Sequence, residues 1–349
     1  MKPYYPSFFC LLAFCLSLSL EVNAQDRPII LPEDVEHNTL ELKCYFCKPG
    51  IRNKTRSRGV EIAYNFTQGG QVKEEEDGTL VPPFSEVNYL RNLIFKLKVP
   101  FLNRDGVKIL GGFAHQTERY KFDLIGPSFN EVFDRIGSRL LKNTSFSLMA
   151  IKPIDDKQYI SGQYKVNFNG DYPGLAALRS RYLAQNISAL YGRKLSDDFE
   201  WGVGFSFSTN FRRTITFIPF FLYNRNFNDK WGIEMVLPAF VHGRYNISNT
   251  TILSFGPKYN SRSYSIDVVE GAIKEKKIFG MNHSEVLLMI SLERKLHPWI
   301  WFHVEGGYQV NFSTDFETLE GSDNSFQVEL QNAPYLRIGI FISPPDDYL

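Results

Sequence analysis

The chain alternates. Val60, Ile62, Tyr64 and Phe66 are spaced by Glu61, Ala63 and Asn65, and Phe199, Trp201, Val203, Phe205 and Phe207 by Glu200, Gly202, Gly204 and Ser206. Trp231, Ile233, Met235, Leu237, Ala239 and Val241 are spaced by a set that includes Glu234 and His242. The same period runs through 286–292, 302–310 and 336–342. A period of two puts successive side chains on opposite faces, so each stretch reads as a β-strand with one apolar face. The stretches run roughly 8–14 residues, longer than the ~5–6 of ordinary strands and close to the ~9–11 tilted residues that cross a bilayer.

Between them the connections alternate too. Segments 103–106, 154–157, 194–198, 226–230 and 295–298 are tight and rich in turn residues. Segments 69–86, 124–143, 169–180, 270–282 and 312–325 are longer, with 210–213 a short exception. Tight turns on one rim and long loops on the other is the layout of outer-membrane barrels. Strands are expected near 57–68, 87–99, 107–122, 144–153, 157–168, 181–193, 199–209, 214–225, 231–242, 251–259, 263–270, 283–294, 299–311 and 326–343. Rim parity and an even strand number require 251–270 to be divided near Asn260-Ser261. The fold class is therefore all-β: an antiparallel up-and-down transmembrane barrel of about 14 strands, with 12 as the alternative if two weak strands are loop. Phe129, Val132, Phe133, Ile136 and Leu140 have helical spacing and predict a short amphipathic helix within 127–142, in a loop or folded into the lumen.

Composition removes several classes. Disorder is excluded by 43% hydrophobic residues. Past the N-terminus no long uncharged apolar stretch supplies a membrane helix. Lys+Arg 39 against Asp+Glu 38 argues against nucleic acid as a partner. Lys2, the apolar run 8–16 and the Val22-Asn23-Ala24 site read as a secretory signal peptide over 1–24. Cys44 and Cys47 then remain. A lone C-x-x-C lacks the further ligands of a zinc site, so a local disulfide is the expectation, with no metal and no cofactor. Residues 25–56 form a periplasmic lead-in, 57–343 the barrel and 344–349 a tail. The basic run from Lys48 to Arg58 reads as a solvated surface.

Aromatic residues are 15% of the chain. Trp201, Trp231, Trp299 and Trp301 all lie just behind short turns, where indole rings suit the interface between headgroups and hydrocarbon. Trp299 and Trp301 share parity with His303 and Glu305, which points them toward the lumen mouth instead. The lumen-facing candidates are Glu61, Glu200, Glu234, His242, Glu293, His303, Glu305 and Arg337, joined by Lys96, Lys98 and Glu285. In a barrel such polarity reads as a salt-bridged interior, and secondarily as a filter for ions or small solutes. His303 and Glu305 could form an acid–base pair, but no G-x-S-x-G, Walker or H-E-x-x-H motif accompanies them. No catalytic residue is assigned.

The leader ending Asn23-Ala24-Gln25, the segments Trp231-Gly232-Ile233-Glu234, Leu237-Pro238-Ala239 and Arg244-Tyr245-Asn246, and the final 335–342 strand together resemble a family. It is the single-domain outer-membrane β-barrels of Bacteroidota that carry a domain-of-unknown-function label. The resemblance implies a location and a fold and brings no catalytic residues. The reading is an outer-membrane barrel acting as a passive channel, a small-solute or lipophile transporter, or a structural barrel. Its partners are outer-membrane lipid, the barrel-assembly machinery and an unidentified small solute. An outer-membrane enzyme acting on lipid and a secreted β-sandwich binding module are the alternatives.

Overall fold

In a computed structural model the described residues are 50–344, apart from 77–78, 81–83, 105, 127–129, 210–214, 271–274 and 320–324. Cys44 and Cys47 lie outside them, as do the leader and most of the lead-in. In chain order the elements are β1 (Val60–Gln68), β2 (Gln71–Glu76), β3 (Thr79–Leu80), β4 (Ser85–Arg104), β5 (Val107–Leu124), α1 (Asn130–Ser138), β6 (Leu141–Pro153), β7 (Gln158–Gly170), β8 (Leu183–Ser196), β9 (Phe199–Thr209), β10 (Ile215–Asn226), β11 (Trp231–Leu237), β12 (Phe240–Ser248), β13 (Thr251–Glu270), β14 (Glu275–Lys295), β15 (Ile300–Thr318), β16 (Ser325–Leu330) and β17 (Ala333–Ile342).

Fourteen of the strands close an antiparallel ring. β1 pairs with β4, each following strand pairs with the next, and β15 pairs with β17, which returns to β1. At the seam Val60 faces Ile342 and Thr67 faces Tyr335. Closure gives every wall strand a neighbour on each side, the arrangement an apolar solvent demands of a backbone. Gly339 sits in the seam for a steric reason. A Cβ there would lie 2.7 Å from the Ile62 carbonyl oxygen and 2.8 Å from His303 Cε1. The short strands β2, β3 and β16 extend the sheet beyond the ring at the long-loop end.

Alternation decides which way the wall faces. Ile62, Tyr64, Phe146, Leu148, Val203, Phe205, Phe207, Phe217, Leu288, Ile290, Ile338 and Ile340 are all exposed on the outer face. Their strand neighbours Glu61, Glu200, Ser291, Glu293 and Gly339 turn inward and are buried. The tight turns are held by local acceptors. Asp155 Oδ1 accepts the backbone N–H of Lys157 (2.8 Å) and Gln158 (2.6 Å), and Asn228 Oδ1 those of Lys230 and Trp231.

The total of fourteen agrees with the expectation, but two strands are distributed differently. Residues 231–242 are not one strand: β11 stops at Leu237, the chain turns at Pro238-Ala239, and β12 runs back from Phe240. Pro238 has no N–H to give a ladder, so the run breaks there. Conversely 251–270 is not divided at Asn260-Ser261. β13 is continuous over 20 residues and pairs with β14 along its whole length. Asn260 and Arg262 do not turn the chain because their side chains are engaged inside, both on Glu285 at 2.7 Å. The expected long link 270–282 is correspondingly mostly β14. The two differences cancel, so each remaining connection keeps its rim.

The wall is uneven in height. β11 and β12 have 7 and 9 residues, whereas β13 and β14 have 20 and 21. β12 leaves β13 at Lys258, and above that level β13 leans across to β7, where Ser265 lies opposite Gly170 in parallel. Arg181–Asp267 (2.6 Å) and Arg135–Asp171 (2.5 Å) fasten this crossing. The upper parts of β4, β5, β13, β14 and β15 thus enclose an apolar core that includes Leu90, Tyr120, Tyr264, Ile266, Val268, Met281 and Phe316. Helix α1 fills its centre with Val132, Phe133 and Ile136, on one face of a helix with Glu131 in its first turn and Arg135 in its last. Phe133 meets Phe316 edge-on at 6.1 Å and Phe122 at 5.6 Å. The predicted loop helix is therefore a cap over part of the long-loop end.

Candidate functional site

The inner face is where polar chemistry collects, and its lower part is occupied by the chain's own lead-in. Residues 51–59 cross the short-turn mouth as a strap. Arg52 reaches the β8–β9 turn at Asp198 (2.7 Å) and the β10–β11 turn at Asp229 (3.4 Å). Lys54 pairs with Glu200 at 3.6 Å. Thr55 donates its N–H (2.9 Å) and hydroxyl (2.7 Å) to the two oxygens of Glu234. The Arg56 guanidinium lies 5.2 Å over the Trp301 ring and donates to the Asn249 carbonyl. Arg58 bridges Glu61 (2.6 Å) and Glu293 (2.5 Å) and stacks 4.6 Å over Phe341. From Lys54 to Arg58 the basic run is thus not a solvated surface, whereas Arg52 stays exposed and Lys48 lies outside the described residues. Its alternate residues 52, 54, 56 and 58 are drawn onto the wall by carboxylates and aromatic faces.

The sequence-predicted lumen residues fall into place around that strap. Glu61, only 2% exposed, is held by Arg58, Lys96 (3.1 Å) and Arg337 (2.8 Å). Glu200 also accepts from Tyr159 and Asn224, each at 2.7 Å, and Glu234 from Arg244 at 3.2 Å. Glu305 accepts from Tyr335 at 3.1 Å and lies opposite Arg337. His303 faces Glu293 across one strand pair and Gly339 across the other, and its ring nitrogens make no hydrogen bond among the described residues. It does not join Glu305 in an acid–base pair. His242 stacks on Phe240 at 4.6 Å and lies opposite Glu234. Of a second cluster higher in the barrel only Glu285 was expected: Arg262 bridges Glu118 (2.9 Å) and Glu285 (2.7 Å), and His283 Nε2 lies 2.9 Å from Glu285. Placing a turn at 260–261 hid Arg262, and Glu118 sat in a stretch with weak alternation.

The four tryptophans separate. Trp231 is on the outer face, 45% exposed, its ring tilted against Tyr245 at 4.5 Å. Trp299 is exposed and Trp201 half-buried against Tyr191. Trp301 faces the other way. It is 2% exposed, inside the wall, stacked on Phe341.

A family model described as "Domain of unknown function (DUF6268)" matches residues 133–343, from α1 through the last wall strand. The chain belongs to this family. The DUF6268 region thus supplies β6 to β17, while the strap and β1 to β5 precede it. No curated protein sequence matches the chain. Solved structures similar to it include an outer membrane channel from Pseudomonas putida F1, with 9% identity, TM-score 0.42, and 85% of this chain and 100% of that one covered. A FadL homologue of Pseudomonas aeruginosa matches with 9% identity, TM-score 0.40, and 81% and 89% coverage. The outer membrane protease OmpT from Escherichia coli matches with 10% identity, TM-score 0.31, and 82% and 97% coverage.

The rim contact of the DUF6268 barrel's strap has a definite pH behaviour. Hydrogen bonds from Arg52 and Asn226 hold the Asp198 carboxyl below its ordinary 3.8. A depressed value means the folded state favours the ionised form, so the contact is complete at neutral pH and is lost only as pH falls below 3.8. Asp198→Asn removes the charge at every pH. It is expected to leave the barrel folded and to speed trypsin cleavage after Arg52 at pH 8. An unchanged cleavage rate would show that this contact does not secure the strap.

Proposed function

We propose that the chain is an outer-membrane β-barrel that serves as a narrow channel for small solutes. The observation that supports this most is the combination of a closed ring, an apolar outer face on all sides and a charged inner face. Soluble monomers rarely expose contiguous apolar patches beyond a few hundred Å². Here the outward residues of nearly every wall strand are large and apolar, which suits hydrocarbon. The short turns then face the periplasm and the long-loop end the exterior. The strap narrows the periplasmic mouth, and the cap covers part of the outer one. The lead-in 25–56 is a periplasmic segment delivered behind a cleaved leader, and membership of a Bacteroidota barrel family rests on the segments quoted above. His303 is given no chemical role in this reading, since its ring nitrogens have no hydrogen-bond partner among the described residues.

Planar-bilayer recording of the refolded chain tests the proposal. Discrete conductance steps are expected; a silent bilayer with verified insertion would rule out an open channel. Membrane insertion has its own check. Brominated lipid is expected to quench Trp231 in a variant that retains it as the sole tryptophan, and to spare Trp301 in the matching Trp301-only variant. Quenching of Trp301 alone would invert the assignment of faces.

A further inference from the structure

The charges of the inner face do not balance locally. Each described inward carboxylate is answered: Glu61, Glu118, Glu200, Glu234, Glu285 and Glu293 by cations, Glu305 by the Tyr335 hydroxyl. Because Lys54 and Arg58 of the strap take over Glu200, Glu293 and part of Glu61, wall cations are left without a carboxylate. Lys98, Lys165 and Lys258 are inward by register, yet none of them makes a side-chain hydrogen bond or ion pair within the described structure. Lys98 and Lys165 occupy one row across the wall. Lys98 lies opposite Gly112, Gly112 opposite Ser147, and Ser147 opposite Lys165. The two residues between them are too small to fill the space, and the two ammonium groups act on each other. Continuing the row, Lys165 lies opposite Asn186 and Asn186 opposite Ser208, which adds small polar side chains. Lys258, on β13 at the level where the low β12 wall ends, is attracted by Glu305 without forming an ion pair with it, and is repelled by Arg337 and Arg58.

Side chains along this path stay accessible. Lys98 is exposed, and Ser147, Lys165, Asn186 and Ser206 are half-buried, whereas the inner face of β14, β15 and β17 is packed shut. A route along these residues is therefore off-centre, on the β4 to β9 side of the wall. An unpaired lysine in a confined, partly desolvated space lacks a counter-charge, and the cheapest way to supply one is a mobile anion.

We infer that this route conducts small anions, with Lys98, Lys165 and Lys258 as successive weak binding points for carboxylate, phosphate or halide. The inference rests on the channel reading and adds the class of solute to it. Two measurements on the full refolded chain test both separately. Under a potassium chloride gradient, the reversal potential is expected to have the sign for chloride, and Lys98→Glu with Lys165→Glu and Lys258→Glu is expected to move it toward the sign for potassium. Conductance that favours potassium in the unaltered chain, or a potential that the triple change leaves in place, overturns the inference and leaves the channel standing. The second measurement needs no current. Trinitrobenzenesulfonate, an anionic reagent for amines, should label Lys98, Lys165 and Lys258, and inorganic phosphate should slow that labelling while the exposed turn residue Lys157 is unaffected. Protection in a barrel that conducts nothing would keep the anion site and discard the channel. Labelling that phosphate does not slow would overturn the site.

Discussion

Replacing Arg58 by alanine is expected to destabilise the barrel by about 3–5 kcal/mol, the usual cost of leaving one member of a buried pair behind. Arg58 serves two carboxylates at once. Glu61 would retain Lys96 and Arg337, so the loss falls on Glu293, which is 4% exposed and has no other cation within ion-pair distance among the described residues. Adding Glu293→Gln removes the stranded charge, so the double variant should recover most of the stability. Arg58→Lys should recover less, since a single ammonium cannot span two carboxylates as the planar guanidinium does. Denaturant titration of the refolded barrel reads all three. Equal losses for Arg58→Ala with and without Glu293→Gln would mean that Arg58 contributes packing on Phe341 and not charge. Releasing the strap should also raise single-channel conductance in Arg58→Ala, because the mouth it crosses is left open.

The second large effect lies at the other end. Phe133→Ala empties the centre of the cap and is expected to cost about 3–5 kcal/mol there. Phe133 is 3% exposed, and its neighbours Phe122 and Phe316 belong to strands already fixed in the sheet, so they cannot collapse into the space. The cost should appear as local opening before the ring itself unfolds, because the fourteen-strand wall does not need α1 for any of its pairings. Limited proteolysis should cut within 125–140 in the variant while the rest of the barrel resists. If the whole barrel becomes cleavable at the same rate, cap and ring are one cooperative unit.

Much of the wall was legible in the sequence because alternation is a local property. Glu61, Glu200, Glu234, Glu293 and Glu305 could be assigned to the inner face from their immediate neighbours alone. What those carboxylates meet was not legible, since partners on a closed sheet come from remote parts of the chain: Arg58 to Glu293, Arg262 to Glu118, Arg181 to Asp267. One signal for the strap is local. Arg52, Lys54, Arg56 and Arg58 repeat at the period of an extended chain, which puts all four on one side of it. The uneven wall height was hidden for a different reason. Pro238 and Asn260 are both turn-forming residues, and only Pro238 is forced to act as one.

The seam between β1 and β17 also bears on kinetics. The Glu61–Arg337 contact joins residues 276 positions apart, and Val60 to Thr67 find their second partners only at the far end of the chain. Loop closure of that size comes late and slowly. Until it happens, β1 offers an unpaired edge and the strap has half of its docking track, since Glu61 and Phe341 meet only when the seam zips. Arg58 contacts both of them, so its docking is complete only once the ring has closed, and ring closure and full strap docking are expected to share one rate-limiting step.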